Sequence, residues 1–91
     1  MLRVSDTIRR TNTRDGSILL DIHHGQMFCL NVMGAMILEL MQQGYDQQRI
    51  SEEISRKYGV SSEIVRADVA EFIEDLQKHH ILRPVPPNEI I

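Results

Sequence analysis

The sequence contains a single cysteine, Cys29. Without a second thiol the chain forms no internal disulfide, and a zinc site built from cysteines is excluded. That usage accords with a reducing compartment. Long apolar runs are missing too. No stretch approaches the roughly 18 apolar residues that cross a bilayer, and Met1 to Arg10 has no apolar signal-peptide core, so a cytoplasmic protein with no membrane partner is expected. Excess positive charge is also lacking. A formal net charge of -3 and a pI near 5.7 deny the chain the field that nucleic-acid binders turn on phosphate. The one local exception is Arg3, Arg9, Arg10 and Arg14, spread among Thr, Ser and Asp as on a solvated strand face. Finally, 91 residues leave no room for a second core, because so short a chain buries only about 60 to 65% of its unfolded surface. A catalytic pocket of roughly 300 Å³ is hard to carve from that interior. A binding protein is expected rather than an enzyme.

The chain reads as strands followed by helices. Val4 to Thr11 and Ser17 to His23 have strand-like lengths, and Asp15-Gly16 between them signals a hairpin. In the second strand Ile18, Leu20 and Ile22 face one way, and Leu19, Asp21 and His23 the other. His24-Gly25 marks another turn, after which Gln26 to Leu30 forms a third strand with Phe28 and Leu30 on the core face. Asn31 stands where a helix N-cap belongs. Met33, Met36, Ile37, Leu40 and Met41 recur at helical spacing up to Gly44. Asp46 caps a second helix with Ile50, Ile54 and Tyr58 on one stripe, closed by Gly59. Ser61 or Ser62 starts a third, in which Val65, Val69, Phe72 and Leu76 form a stripe that Ile64, Ala70 and Ile73 widen. It ends near His80, before Pro84, Pro86 and Pro87. Residues Arg83 to Ile91 are expected to be an extended tail of low structural weight. The fold class is α+β: a three-stranded antiparallel meander, then three helices.

Few residues suggest chemistry. His23-His24 and His79-His80 invite a metal hypothesis, but neighbours on a strand face opposite sides and neighbours on a helix sit about 100° apart. Neither pair chelates by itself, and no metal or cofactor is expected. Cys29 has no base beside it and no oxyanion site, so packing or an interface explains it better than nucleophilic catalysis. Glu52-Glu53 and Glu74-Asp75 fall on solvent faces. Gly25 and Gly34 make no phosphate loop. Of the methionines, Met27 is the best candidate for an adaptable contact surface, since it faces away from the core.

The junction Gly-x-x-Phe-x-Leu-Asn, here Gly25, Phe28, Leu30 and Asn31, is followed by helices ending in Asp68-Val69, Phe72 and Leu76. With Ser17-Ile18-Leu19-Leu20-Asp21 upstream, this pattern resembles the PqqD-like family over roughly Asp15 to Leu82. The resemblance implies a winged-helix-like domain, residues 1–83, with 84–91 as a tail. It implies an adaptor that binds the leader segment of a ribosomally made precursor peptide and presents it to a modifying enzyme, a radical SAM protein or a peptidase. In relatives the leader adds as a strand to strand three beside helix three. By position this brings Met27, Phe28, Cys29, Leu30, Val65, Arg66, Val69, Ala70 and Ile73 near the peptide. The chain departs from members of the PQQ pathway in lacking their Trp and Pro-rich opening. A stand-alone partner in a lasso or other peptide system therefore fits as well as PQQ biosynthesis.

Two alternatives remain at this point. Three strands and three helices also suit a winged-helix DNA binder, against which the acidic charge counts. A structural subunit or homodimer could pair its exposed strand edge with its own copy or swap an element.

Overall fold

The computed structural model describes residues 2–84. Strands β1 (Leu2–Val4), β2 (Ile8–Thr13), β3 (Gly16–Asp21) and β4 (Gln26–Leu30) precede helices α1 (Val32–Gln42), α2 (Gln47–Tyr58) and α3 (Ser62–Lys78), and β5 (Leu82–Pro84) ends the described chain. The expected meander is present as an antiparallel sheet in the order β2-β3-β4. Its register places Arg10 opposite Leu19 and Leu19 opposite Phe28.

The first expected strand is two strands. A turn after Ser5, whose carbonyl accepts from the Ile8 N–H at 3.1 Å, separates β1 from β2. Thereafter β1 pairs antiparallel with β5, Leu2 opposite Pro84 and Val4 opposite Leu82. Arg83 and Pro84 thus belong to a strand where a tail was expected, because three residues carry too short a pattern to be recognised. The rest of that tail, with Pro86 and Pro87, lies outside the described residues. The hairpin turn also shifts by one position: Thr13 pairs with Gly16, so Arg14 and Asp15 are the loop residues and Gly16, at φ +145°, opens β3.

Period two sends Ser17, Leu19 and Asp21 of β3 into the interior and leaves Leu20 and Ile22 exposed on the outer face. Helix α1 packs on β3, and Leu19 joins one core cluster with Ile37 and Leu38 of α1, Ile50 and Ile54 of α2, and Val65, Val69, Ile73 and Leu76 of α3. Burying each such side chain contributes roughly 1.5–3 kcal/mol. Two of the helix starts follow the expected chemistry. Asn31 accepts from the Gly34 N–H and Asp46 from the Arg49 N–H, both at 2.8 Å, and Gly59 closes α2 in the left-handed region. Ser61 precedes α3 without a side-chain capping bond. Tyr58, Ile64 and Ala70, assigned to apolar stripes by spacing, are exposed. Their helices each bury only one narrow face. No helix among the described residues is long and apolar enough to cross a membrane.

Arg10 fastens the sheet to α1. Its guanidinium donates to the Ala35 carbonyl at 3.1 Å, Gln42 Oε1 at 2.8 Å, Glu39 Oε2 at 3.2 Å and Ser17 Oγ at 3.3 Å. Arg3 pairs with Asp6 at 3.0 Å. Arg9 donates to the Asp6 carbonyl at 3.0 Å, so three members of the basic run are engaged within the fold.

Candidate functional site: an open strand edge beside helix three

Strand β4 pairs with β3 on one side and has no strand on the other among the described residues. Which of its backbone groups are free follows from alternation. Ile22 N–H donates to Thr7 O on the β2 side at 3.2 Å. Backbone groups of Ile18, Leu20 and Ile22 therefore turn toward β2, and those of Ser17, Leu19 and Asp21 toward β4. Their partners Leu30, Phe28 and Gln26 are used in the ladder. The N–H and C=O groups of Met27 and Cys29 point at the open edge.

Side chains alternate in the other sense. Phe28 and Leu30 are half-buried on the inner face, while Met27, 66% exposed, and Cys29 stand on the outer face. A groove of about 280 Å³ runs beside the strand, lined by Cys29, Leu30, Met33, Ile37, Asp68 and Phe72. Gly34 forms part of its floor. A Cβ there would lie 3.2 Å from the Phe72 ring, so the absence of a side chain lets α1 and the Phe72 ring approach closely.

Imidazoles gather toward the start of β4. The His79 ring lies 5.2 Å from that of Phe28, and His80 stacks on His24 at 6.1 Å between centroids. His24 Nδ1 is 2.8 Å from Asp21 Oδ2, and Asp21 Oδ1 accepts from the N–H groups of His23 and His24 at 3.1 and 3.2 Å. Burial raises the Asp21 pKa, but the bonds from His24 and His23 and the charge of His24 outweigh it and hold the carboxyl below its ordinary value. No group of three or more His, Cys, Asp or Glu among the described residues is placed to hold a metal ion.

The residues expected near a peptide separate into three sets. Met27, Phe28, Cys29 and Leu30 form one continuous edge. Val65, Val69 and Ile73 are core residues, 6%, 1% and 1% exposed, and Ile73 lines a different cavity with Leu2, Met41, Tyr45 and Ile50. Arg66 and Ala70 are exposed, but each stands two positions from Asp68, which is about 160° around the helix. The face of α3 that looks onto the groove carries Asp68 and Phe72. Spacing distinguishes an apolar stripe but not which neighbour it meets: Phe72, grouped by spacing with Val65, Val69 and Leu76, is only half-buried and lines the groove.

Several solved structures share this architecture. One described as TbiB1 in complex with the TbiA(beta) leader peptide matches with a TM-score of 0.85 and 25% identity, over 92% of this chain and 98% of that one. A lasso peptide synthetase B1 complexed with its leader peptide gives 0.86 and 23%, over 91% and 98%. The PqqD part of Methylobacterium extorquens PqqCD, described as a stand-alone recognition element for ribosomally synthesised and modified peptides, gives 0.72 and 19%, over 91% and 88%. No curated protein matches in sequence. The family described as coenzyme PQQ synthesis protein D (PqqD) matches residues 16–82, which is most of the chain and includes the open edge, the groove and the helices around them. The chain belongs to the PqqD family.

Proposed function

We propose that this protein is a non-catalytic adaptor that binds the leader segment of a ribosomally made precursor peptide by strand addition to β4 and presents it to a modifying enzyme. The observation that carries this reading is the open edge at Met27 and Cys29 beside the groove of Leu30, Asp68 and Phe72. Two relatives of the same fold are described as complexes with leader peptides, which supports it. On this reading residues 1–83 are the recognition domain, which β5 carries one residue further, and the modifying enzyme is a radical SAM protein or a peptidase in the cytoplasm.

Energetics require both edge and groove. Four backbone bonds at about 1 kcal/mol net each supply only a few kcal/mol, whereas ordering a disordered leader costs roughly 2 to 5 kcal/mol. Micromolar affinity needs about 8 kcal/mol. An added strand would alternate its side chains, one set entering the groove against Phe72 and Leu30, the other lying beside Met27 and Cys29 on the outer face. Those side-chain contacts must supply the surplus and the selectivity.

Titration of labelled protein with the leader encoded beside its gene tests the reading. Amide signals of Met27 to Leu30 and of Asp68 and Phe72 are expected to shift, and Cys29→Asp is expected to weaken binding more than Glu53→Lys on α2. Shifts confined to α2, or equal effects of the two substitutions, would refute it.

A further inference from the structure

Asp68 is set apart from the other acidic groups of α3 by its place in the groove, which Glu63, Glu71 and Asp75, likewise without an ion pair among the described residues, do not line. Glu74 pairs with Lys78 at 3.9 Å, Glu53 with Arg56 at 3.1 Å and Glu39 with Arg10 at 3.2 Å. Asp68 lines the groove and has no hydrogen-bond or ion-pair partner among the described residues. Its neighbours there are Leu30, Met33, Ile37 and Phe72, which supply apolar surface and no counter-charge. Toward the other end of β4 the Phe28 ring is met by His79, with His80 and His24 stacked nearby. The two ends of the edge are therefore chemically unlike, a bare carboxylate near Leu30 and a group of imidazoles near Gln26 to Phe28.

We infer that the peptide taken by this groove carries a lysine or arginine that pairs with Asp68, and that this contact fixes the register and direction of the added strand. The inference rests on the leader-binding reading of the same groove. Backbone bonding by itself leaves register open, because a slip of two residues restores every bond and returns side chains to the same face. An apolar groove accepts several aliphatic or aromatic side chains at similar cost. A single charge at one end discriminates among these arrangements, since a slipped or reversed peptide leaves Asp68 facing an apolar or like-charged residue. The basic side chain must have the parity of those entering the groove. If the peptide runs antiparallel to β4, it lies on the amino-terminal side of the residues that meet Met27, because Asp68 is near the Leu30 end. A parallel peptide reverses that order.

Selection of short random peptides by display against the full chain and against Asp68→Asn and Asp68→Lys tests this. Selected peptides are then titrated into labelled protein. The native chain is expected to enrich Lys or Arg at a fixed spacing from an apolar residue. Asp68→Asn should keep the apolar preference, lose the basic one and bind native-selected peptides about fivefold to tenfold more weakly. Asp68→Lys should enrich Asp or Glu at the same spacing. Peptides that shift Met27 to Leu30 yet show no basic preference, or show it unchanged with Asp68→Asn, would overturn the Asp68 pairing while leaving the groove as the binding site. If no selected peptide perturbs Met27 to Leu30, the groove reading fails together with it.

Discussion

At Gly16 the backbone has φ +145°, and a Cβ there would fall 1.8 Å from the Leu30 carbonyl oxygen and 2.8 Å from the Asn31 carbonyl carbon. The β2–β3 turn and the β4–α1 junction meet at this point, so the glycine satisfies both a backbone angle and a close approach. Gly25 has φ +65° but open space around its missing Cβ. Gly16→Ala is therefore expected to cost about 1–3 kcal/mol and Gly25→Ala about 1 kcal/mol, measured by chemical denaturation. Only the first should also weaken peptide binding, because the atoms displaced belong to the end of β4. Asp21 gives a pH dependence of known sign. Its carboxyl group binds a proton less readily in the folded chain than in the unfolded one. Its contribution is present above about pH 4 and is lost as pH falls through the lower folded value. Thermal melts across the acid range should show this loss, and Asp21→Asn should flatten it. A native curve unchanged below pH ~4 would contradict the assignment.

At the scale of elements, what was legible depended on how local the cause was. Asn31, Asp46 and Gly59 act within one turn of their helices, and β4 has the bounds that its flanking turn and cap suggest. By contrast β1 and β5 find each other across the whole chain, and neither has a pattern of its own. On α3 the face that lines the groove differs from the apolar stripe read by spacing for a related reason. Val65, Val69 and Ile73 are apolar because the core needs them, whereas the groove uses Phe72 and Asp68 beside that stripe. Within β4 the alternation separates ladder residues from edge residues, and proline tests the separation. Met27→Pro removes an N–H that points to the open edge, so the fold should persist while peptide affinity falls about tenfold, equivalent to about 1.4 kcal/mol. Phe28→Pro removes a bond to β3 and should unfold the sheet. Calorimetric binding paired with amide spectra of each variant distinguishes the outcomes, and loss of the fold in Met27→Pro would show that the edge is not free.

For the molecule as a whole, the β1–β5 pair joins the two ends of the described chain on a side of α3 other than the groove. Leu82 is 3% exposed and Ile81 1%, and Ser5 N–H donates to the Ile81 carbonyl at 2.8 Å. Such contacts between residues distant in sequence bring the full entropy of chain closure with them, so they contribute to stability only once the intervening core has formed. Leu2 and Val4 in turn pack against that core. Leu82→Ala should therefore lower global stability by about 2–4 kcal/mol through the cavity it leaves and should speed hydrogen exchange at the Ser5 amide beyond that global loss. The groove is built from β4, α1 and the Asp68–Phe72 face of α3, and Leu82 does not line it. At a temperature where the variant remains folded, its peptide affinity should equal that of the native chain. A fall in affinity in step with stability would instead mean that β4 and α3 are held in position only by the joined ends, and would extend the recognition unit to the whole described chain.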